Sequence, residues 1–241
     1  MPTITNKQRQ LTHFFNTLKK GHETTEPESL PVLEQFIYGL CREGTTRELA
    51  DQAFHNLRSQ FFDWNEVRVS SAPEVEEAFA DLPEAEARAV RLINFLQEVF
   101  EAKFSFDLEG LHKKGLKESA RQLAKHQAAN EYVVAWVMQH TLGGHAVPLD
   151  PPTLRVARRF GLLDGELEDL EAARSSLEHL IPKSRGSLFG ELTSSLAAEV
   201  CWEDEPHCAG CPLNTECPSS RVDGTREDGA VATRATRSKP R

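Results

Sequence analysis

"CWEDEPHCAGCPLNTEC", residues 201–217, holds four of the five cysteines in the chain. They stand as Cys201, six residues, Cys208, two residues, Cys211, five residues, Cys217. Four clustered thiols in a chain with no charged, apolar leader point to metal binding rather than disulfides. Thiolates are soft donors, and four of them close a tetrahedral zinc site or hold an iron–sulfur cluster. Zinc modules commonly pair their ligands as two CxxC knuckles or as Cys and His pairs, whereas this segment has a single CxxC flanked by lone cysteines. Bacterial ferredoxin runs are tighter. The fifth thiol, Cys41, falls in a helical apolar pattern and reads as a core residue.

Upstream of this segment the 241-residue chain reads as helix after helix. "SLPVLEQFIYGLCR" offers Ser29 as an N-cap and Pro31 in the first turn, with apolar residues at helical spacing. The same period runs through "TTRELADQAFHNLRSQF", "APEVEEAFADL", "EAEARAVRLINFLQEVFEA" and "LKESARQLAKH". It continues in "EYVVAWVMQHTL", "PTLRVARRFGLL", "GELEDLEAARSSLEHLI" and "GSLFGELTSSLAAEV". No convincing alternating strand appears, so the expected class is all-α with about nine helices. No stretch approaches the roughly 18 apolar residues of a membrane span. The expectation is a soluble protein of the cytoplasm.

The formal charge is −9, from 28 Lys and Arg against 37 Asp and Glu. After Cys217 the tail carries six Lys and Arg against three Asp and Glu, so the preceding body is the more acidic part. Any polyanion site there must be a local basic patch. Lys113, Lys114, Lys117, Arg121 and Lys125 form one such cluster, and Arg155, Arg158 and Arg159 a second. The bland alternative is a solvated helix face balanced by neighbouring acids. Residues 218–241, small and polar, read as a disordered tail.

The cysteine spacing resembles the C-terminal 4Fe–4S loop of the endonuclease III, or helix-hairpin-helix, superfamily of DNA glycosylases. A second match is "GGHAVPLDPPTLRVARRFGLL", where Asp150 takes the place of the family's catalytic aspartate. The resemblance implies a 4Fe–4S cluster on Cys201, Cys208, Cys211 and Cys217, and a two-lobed helical fold. Expected boundaries are an N-terminal helix (1–28) packing on the cluster lobe, a central barrel with the hairpin (29–144), and the cluster lobe (145–217). It also implies a monomer acting on double-stranded DNA, in a bacterial cytoplasm and nucleoid-associated through that DNA.

Asp150 begins "DPPT", a good helix start, so an N-cap role is expected alongside the catalytic one. Counting back by the family's interval reaches Tyr132, where bifunctional members carry a Schiff-base lysine. The resemblance therefore implies a monofunctional glycosylase, with Tyr132 shaping the pocket or simply packing in the core. Glu43 stands where the family places the loop whose side chain fills the gap left by an extruded base; adenine-specific members have a general-acid glutamate nearby. The hairpin departs from the family: "HQAANEY" (126–132) replaces Leu-Pro-Gly-Val-Gly-Arg-Lys, and both glycines are missing. Glycine there allows positive φ and close approach to phosphate. Asn130 is the residue best suited to take over a left-handed turn, and Ala128 is not. Two functions follow: hydrolysis of an N-glycosidic bond in damaged or mispaired DNA, or a catalytically inactive DNA-binding or scaffold descendant.

Overall fold

A computed structural model describes residues 4–21, 30–164 and 169–222. Ser29 and most of the tail, residues 223–241, lie outside the described residues, as does the start of the "GELEDL" segment. Among the described residues the chain is helical throughout, with no strand. None of the helices is long and apolar enough to cross a membrane.

Helices α2 (Val32–Arg42), α3 (Arg47–Gln60), α6 (Ala85–Lys103), α7 (Leu116–Leu123) and α8 (Glu131–His140) build one hydrophobic cluster. Helix α2 is its axis, because its apolar residues cover most of its circumference. Val32, Leu33, Phe36, Ile37 and Leu40 are all buried, and the Phe36 ring stacks on Phe95 with centroids 3.8 Å apart. A helix apolar nearly all round must be enclosed by others. Cys41 is fully buried here, and desolvation pushes its thiol up to about 12.

The second cluster joins α1 (Ile4–Leu18), α9 (Pro151–Arg159), α10 (Leu170–Leu180) and α11 (Gly186–Glu199). Phe14 on α1 lies 5.8 Å from Phe160 and 5.5 Å from Phe189, centroid to centroid. The chain thus leaves the second cluster after α1, builds the first, and returns through residues 141–150.

Two short helices, α4 (Trp64–Val69) and α5 (Ala72–Glu77), cover α6. The apolar period in the sequence marks α5 but not α4. At six residues α4 is too short for a hydrophobic period to register. Its signal is a cap: Asp63 accepts a hydrogen bond from the Glu66 N–H at 2.8 Å.

Candidate active site

Asp150 is the N-cap of α9, and its Oδ1 accepts from the Thr153 N–H at 2.9 Å. Pro151 follows it at the first helical position, where a missing N–H costs nothing. The other oxygen, Oδ2, accepts from the Gly44 N–H at 2.9 Å. Gly44 has φ +72°, in the left-handed region that glycine enters freely. The carboxylate is 4% exposed and is thereby fixed between the start of α9 and the α2–α3 loop.

Beside it lies a small gap between the two clusters, about 10 Å³, lined by Arg42, Tyr132, Trp136, Gln139, Asp150 and Ser194 among others. That volume suits about one water. The Tyr132 hydroxyl donates to the Arg42 carbonyl at 3.3 Å. Burial, chiefly, holds this phenol well above its ordinary pKa, with the Asp150 and Glu43 charges acting in the same direction. Tyr132, Trp136 and His140 follow one another at four-residue spacing along α8, with ring centroids 6.1 and 3.9 Å apart. Desolvation lowers the His140 imidazole to about 4, so it is neutral at pH 7.

Arg42 is a site residue that the sequence reading misses. Its side chain is 2% exposed, and it donates to the Thr45 carbonyl and to Ser194 Oγ across the gap. Glu191 lies 3.8 Å away. The only hint is a charged residue at the end of a largely apolar helix. Trp136 is legible as part of an aromatic i, i+4 series with Tyr132 and His140, but nothing local marks it as lining the gap.

Glu43 does not project as an isolated loop side chain. It pairs with Arg91 at 2.9 Å and accepts from the Asn130 side-chain amide at 2.5 Å. Arg91 also donates to the Ala128 carbonyl at 3.0 Å, and Arg88 donates to the Glu43 carbonyl. The α2–α3 loop and the α7–α8 hairpin are thus joined by side chains from α6.

The hairpin corrects the expectation for Asn130. Its φ is −123°, in the extended region, and it is the N-cap of α8, accepting from the Val133 N–H at 3.0 Å. Among the described residues the non-glycine positions with positive φ are Glu84 and Phe104, so neither Asn130 nor Ala128 enters the left-handed region. The turn is made instead by successive short bonds, Lys125 N–H to Gln122, His126 N–H to Leu123 and Ala129 N–H to His126 carbonyls. Such a turn has no need of glycine.

Of the expected phosphate contacts, Lys113, Lys117 and Lys125 are exposed along the approach to the hairpin. Lys114 donates to Gln122 at 2.6 Å, and Arg121 is held by Glu118 at 2.7 Å on the surface. Arg155 is a correction. Its guanidinium turns to the cysteine segment, donating to the Cys201 carbonyl at 3.0 Å, and its side chain is largely covered. Arg159 does likewise, donating to the Trp202 and Glu203 carbonyls and reaching Cys201 Sγ at 3.6 Å. The arginines after Asp150 secure the loop that carries the thiols.

Cys201, Cys211 and Cys217 pack against the second cluster, and Leu213 between them is buried in it. Burial pushes the Cys211 and Cys217 thiols up, and the neighbouring Cys201 and Cys208 sulfurs add to the effect. The four sulfurs therefore lie near one another on the side of the second cluster. Among the described residues no three His, Cys, Asp or Glu side chains gather closely enough to hold a single ion. A four-iron cluster asks for something different: one soft donor per iron, spread around the cluster rather than converging on a point. By type and number, four free thiols match the donors such a cluster takes.

A groove of about 670 Å³ runs along α7, α8 and residues 144–146 and does not include Asp150. The smaller gap is the better candidate because it holds the buried carboxylate. No protein-family model matches the chain. An Arabidopsis thaliana protein provisionally named a DNA glycosylase is 23% identical over 229 residues, 92% of this chain and 75% of the plant protein. An endonuclease III solved in a non-covalent complex with DNA superposes with a TM-score of 0.69 at 16% identity, covering 91% of this chain and 97% of that one. A thermostable thymine-DNA glycosylase gives 0.63, also at 16% identity, over 90% of this chain and 98% of that one. Since those alignments span almost the whole of each chain, this protein has the endonuclease III fold of the helix-hairpin-helix DNA glycosylases.

Proposed function

We propose that the protein is a base-excision repair DNA glycosylase of the endonuclease III type, hydrolysing the N-glycosidic bond of a damaged or mispaired base. The observation that carries this reading is Asp150, a buried carboxylate held by two backbone N–H groups at the gap between the two clusters. Such enzymes turn the target nucleotide out of the duplex into a pocket. Positive charge develops on the sugar as the base departs, and a fixed carboxylate beside it lowers the barrier without having to reorganise. The same group aligns a water for attack at the sugar carbon. Solved neighbours named as DNA complexes support a DNA substrate.

Tyr132 supports the monofunctional form of the reaction. A phenol cannot form a Schiff base, and burial keeps its proton in place. The exposed lysines near the hairpin would supply phosphate contacts. Cys201, Cys208, Cys211 and Cys217 would hold a 4Fe–4S cluster, which when bound staples the C-terminal loop to the second cluster of helices. One observation favours the inactive descendant instead: the gap is too small for a base as it stands.

Base release from duplexes carrying a panel of lesions and mismatches tests the proposal. Release that disappears in Asp150→Asn supports it. Absence of release from every duplex, with DNA binding retained, favours the descendant.

A further inference from the structure

Two buried donors at the gap have no acceptor. Arg42 Nε and Trp136 Nε1 are both inaccessible, and neither makes a hydrogen bond. Both residues line the space beside Asp150 and Tyr132. An unpaired buried N–H is costly, so a native structure that keeps two at one place has a reason for them. The rest of the Arg42 fork is engaged on Thr45 and Ser194, and the Trp136 ring lies 5.9 Å from its guanidinium carbon. These contacts join α2, α8 and α11 at the seam between the two clusters.

Arginine and indole N–H groups donate and never accept. A ligand that satisfies them must present an acceptor to them, and an amino group at the contacted position, itself a donor, cannot. Resting on the glycosylase reading above, we infer that Arg42 and Trp136 select an extruded base carrying an exocyclic carbonyl where cytosine or adenine carries an amino group. Uracil-, thymine-, hypoxanthine- and guanine-type bases belong to that class. Entry of the base widens the gap and gives Arg42 Nε and Trp136 Nε1 the acceptors they lack. The aromatic face of Trp136 is available for stacking. Arg42 is a specificity-determining residue here, distinct from the carboxylate that acts on the sugar.

Binding of the full chain to duplexes with one 2′-fluorinated nucleotide, whose fluorine suppresses glycosidic cleavage, tests the inference without requiring turnover. Uracil is compared with cytosine, and hypoxanthine with adenine, each opposite an abasic analogue so that unpairing costs are equal. Wild type should favour the carbonyl member of each pair on the order of 10-fold or more. Arg42→Met should bring the ratio close to unity, and Trp136→Phe, which keeps the ring and removes only the N–H, should shrink it severalfold. Should Arg42→Met fail to fold, Trp136→Phe still decides the matter. No preference in wild type, or an undiminished one in the variants, overturns the inference and leaves Arg42 as a bolt between the helices. The same sequences built with ordinary deoxynucleotides report base release. A preference without release would sink the glycosylase reading and keep the recognition, whereas release with no dependence on either residue would do the reverse.

Discussion

Asp150 combines two demands at one residue. As an N-cap it must be a short oxygen-bearing side chain, and in the proposed reaction, beside a developing cation, it must carry charge. Asp150→Asn separates the two: the cap survives and the charge goes. Base release should then fall on the order of 100- to 1,000-fold while the melting temperature changes little. Unchanged release would remove Asp150 from the mechanism. Tyr132 gives a second expectation, that borohydride traps no protein on abasic DNA; efficient trapping would mean another lysine acts as nucleophile. His140 gives a third, about pH. Its folded value, about 4, lies below the ordinary 6.5, so the folded state binds fewer protons between those limits. Its contribution is complete above about pH 6.5 and is lost as the pH falls towards 4, amounting to about 3 kcal/mol. Urea unfolding of His140→Gln should show a flatter dependence than wild type over that window.

At the scale of elements, the α2–α3 loop, α6 and the α7–α8 hairpin meet through Arg91. Its links to Glu43 and the Ala128 carbonyl tie the two loops to α6, at one end of the α2–α8 packing. Arg91→Met together with Glu43→Gln should give a coupling energy of about 0.5–3 kcal/mol in a double-mutant cycle. Strict additivity would show that the pair is incidental. Lys113, Lys114 and Lys117 belong to the same hairpin region. Their replacement by Gln should weaken binding to all duplexes alike and reduce the salt slope by roughly 0.9 for each phosphate no longer neutralised. A weakening confined to particular sequences would contradict a phosphate role.

For the whole molecule, the question is what holds the C-terminal segment to the helices. Leu213, the thiols and the arginines of α9 bring residues 201–217 onto the second cluster, next to the α1 residues packed there. Anaerobically purified protein should contain about four irons and four sulfides per chain. Cys211→Ser should lose iron and lower the melting temperature. One equivalent of zinc with no labile sulfide in native preparations would refute the cluster assignment.

Helical periods alone settle that this chain is all-α, because an apolar stripe at 3.6-residue spacing can be buried only as a helix. The cap at Asp150 is legible too, since capping depends on residues a few positions apart. Short-range rules stop there. They say nothing of Gly44 reaching Asp150 across 106 positions, or of Arg42 meeting Ser194 across 152. They misplace Arg155, whose sequence neighbourhood suggests phosphate while its spatial neighbour is the Cys201 carbonyl. Asn130 shows the same limit at close range: a residue suited to a left-handed turn serves as a cap, because the bonds following α7 close the turn with right-handed geometry. Which polar groups are buried together, and which remain unpaired, is decided only when distant segments pack, because desolvation is a property of the surroundings and not of the residue.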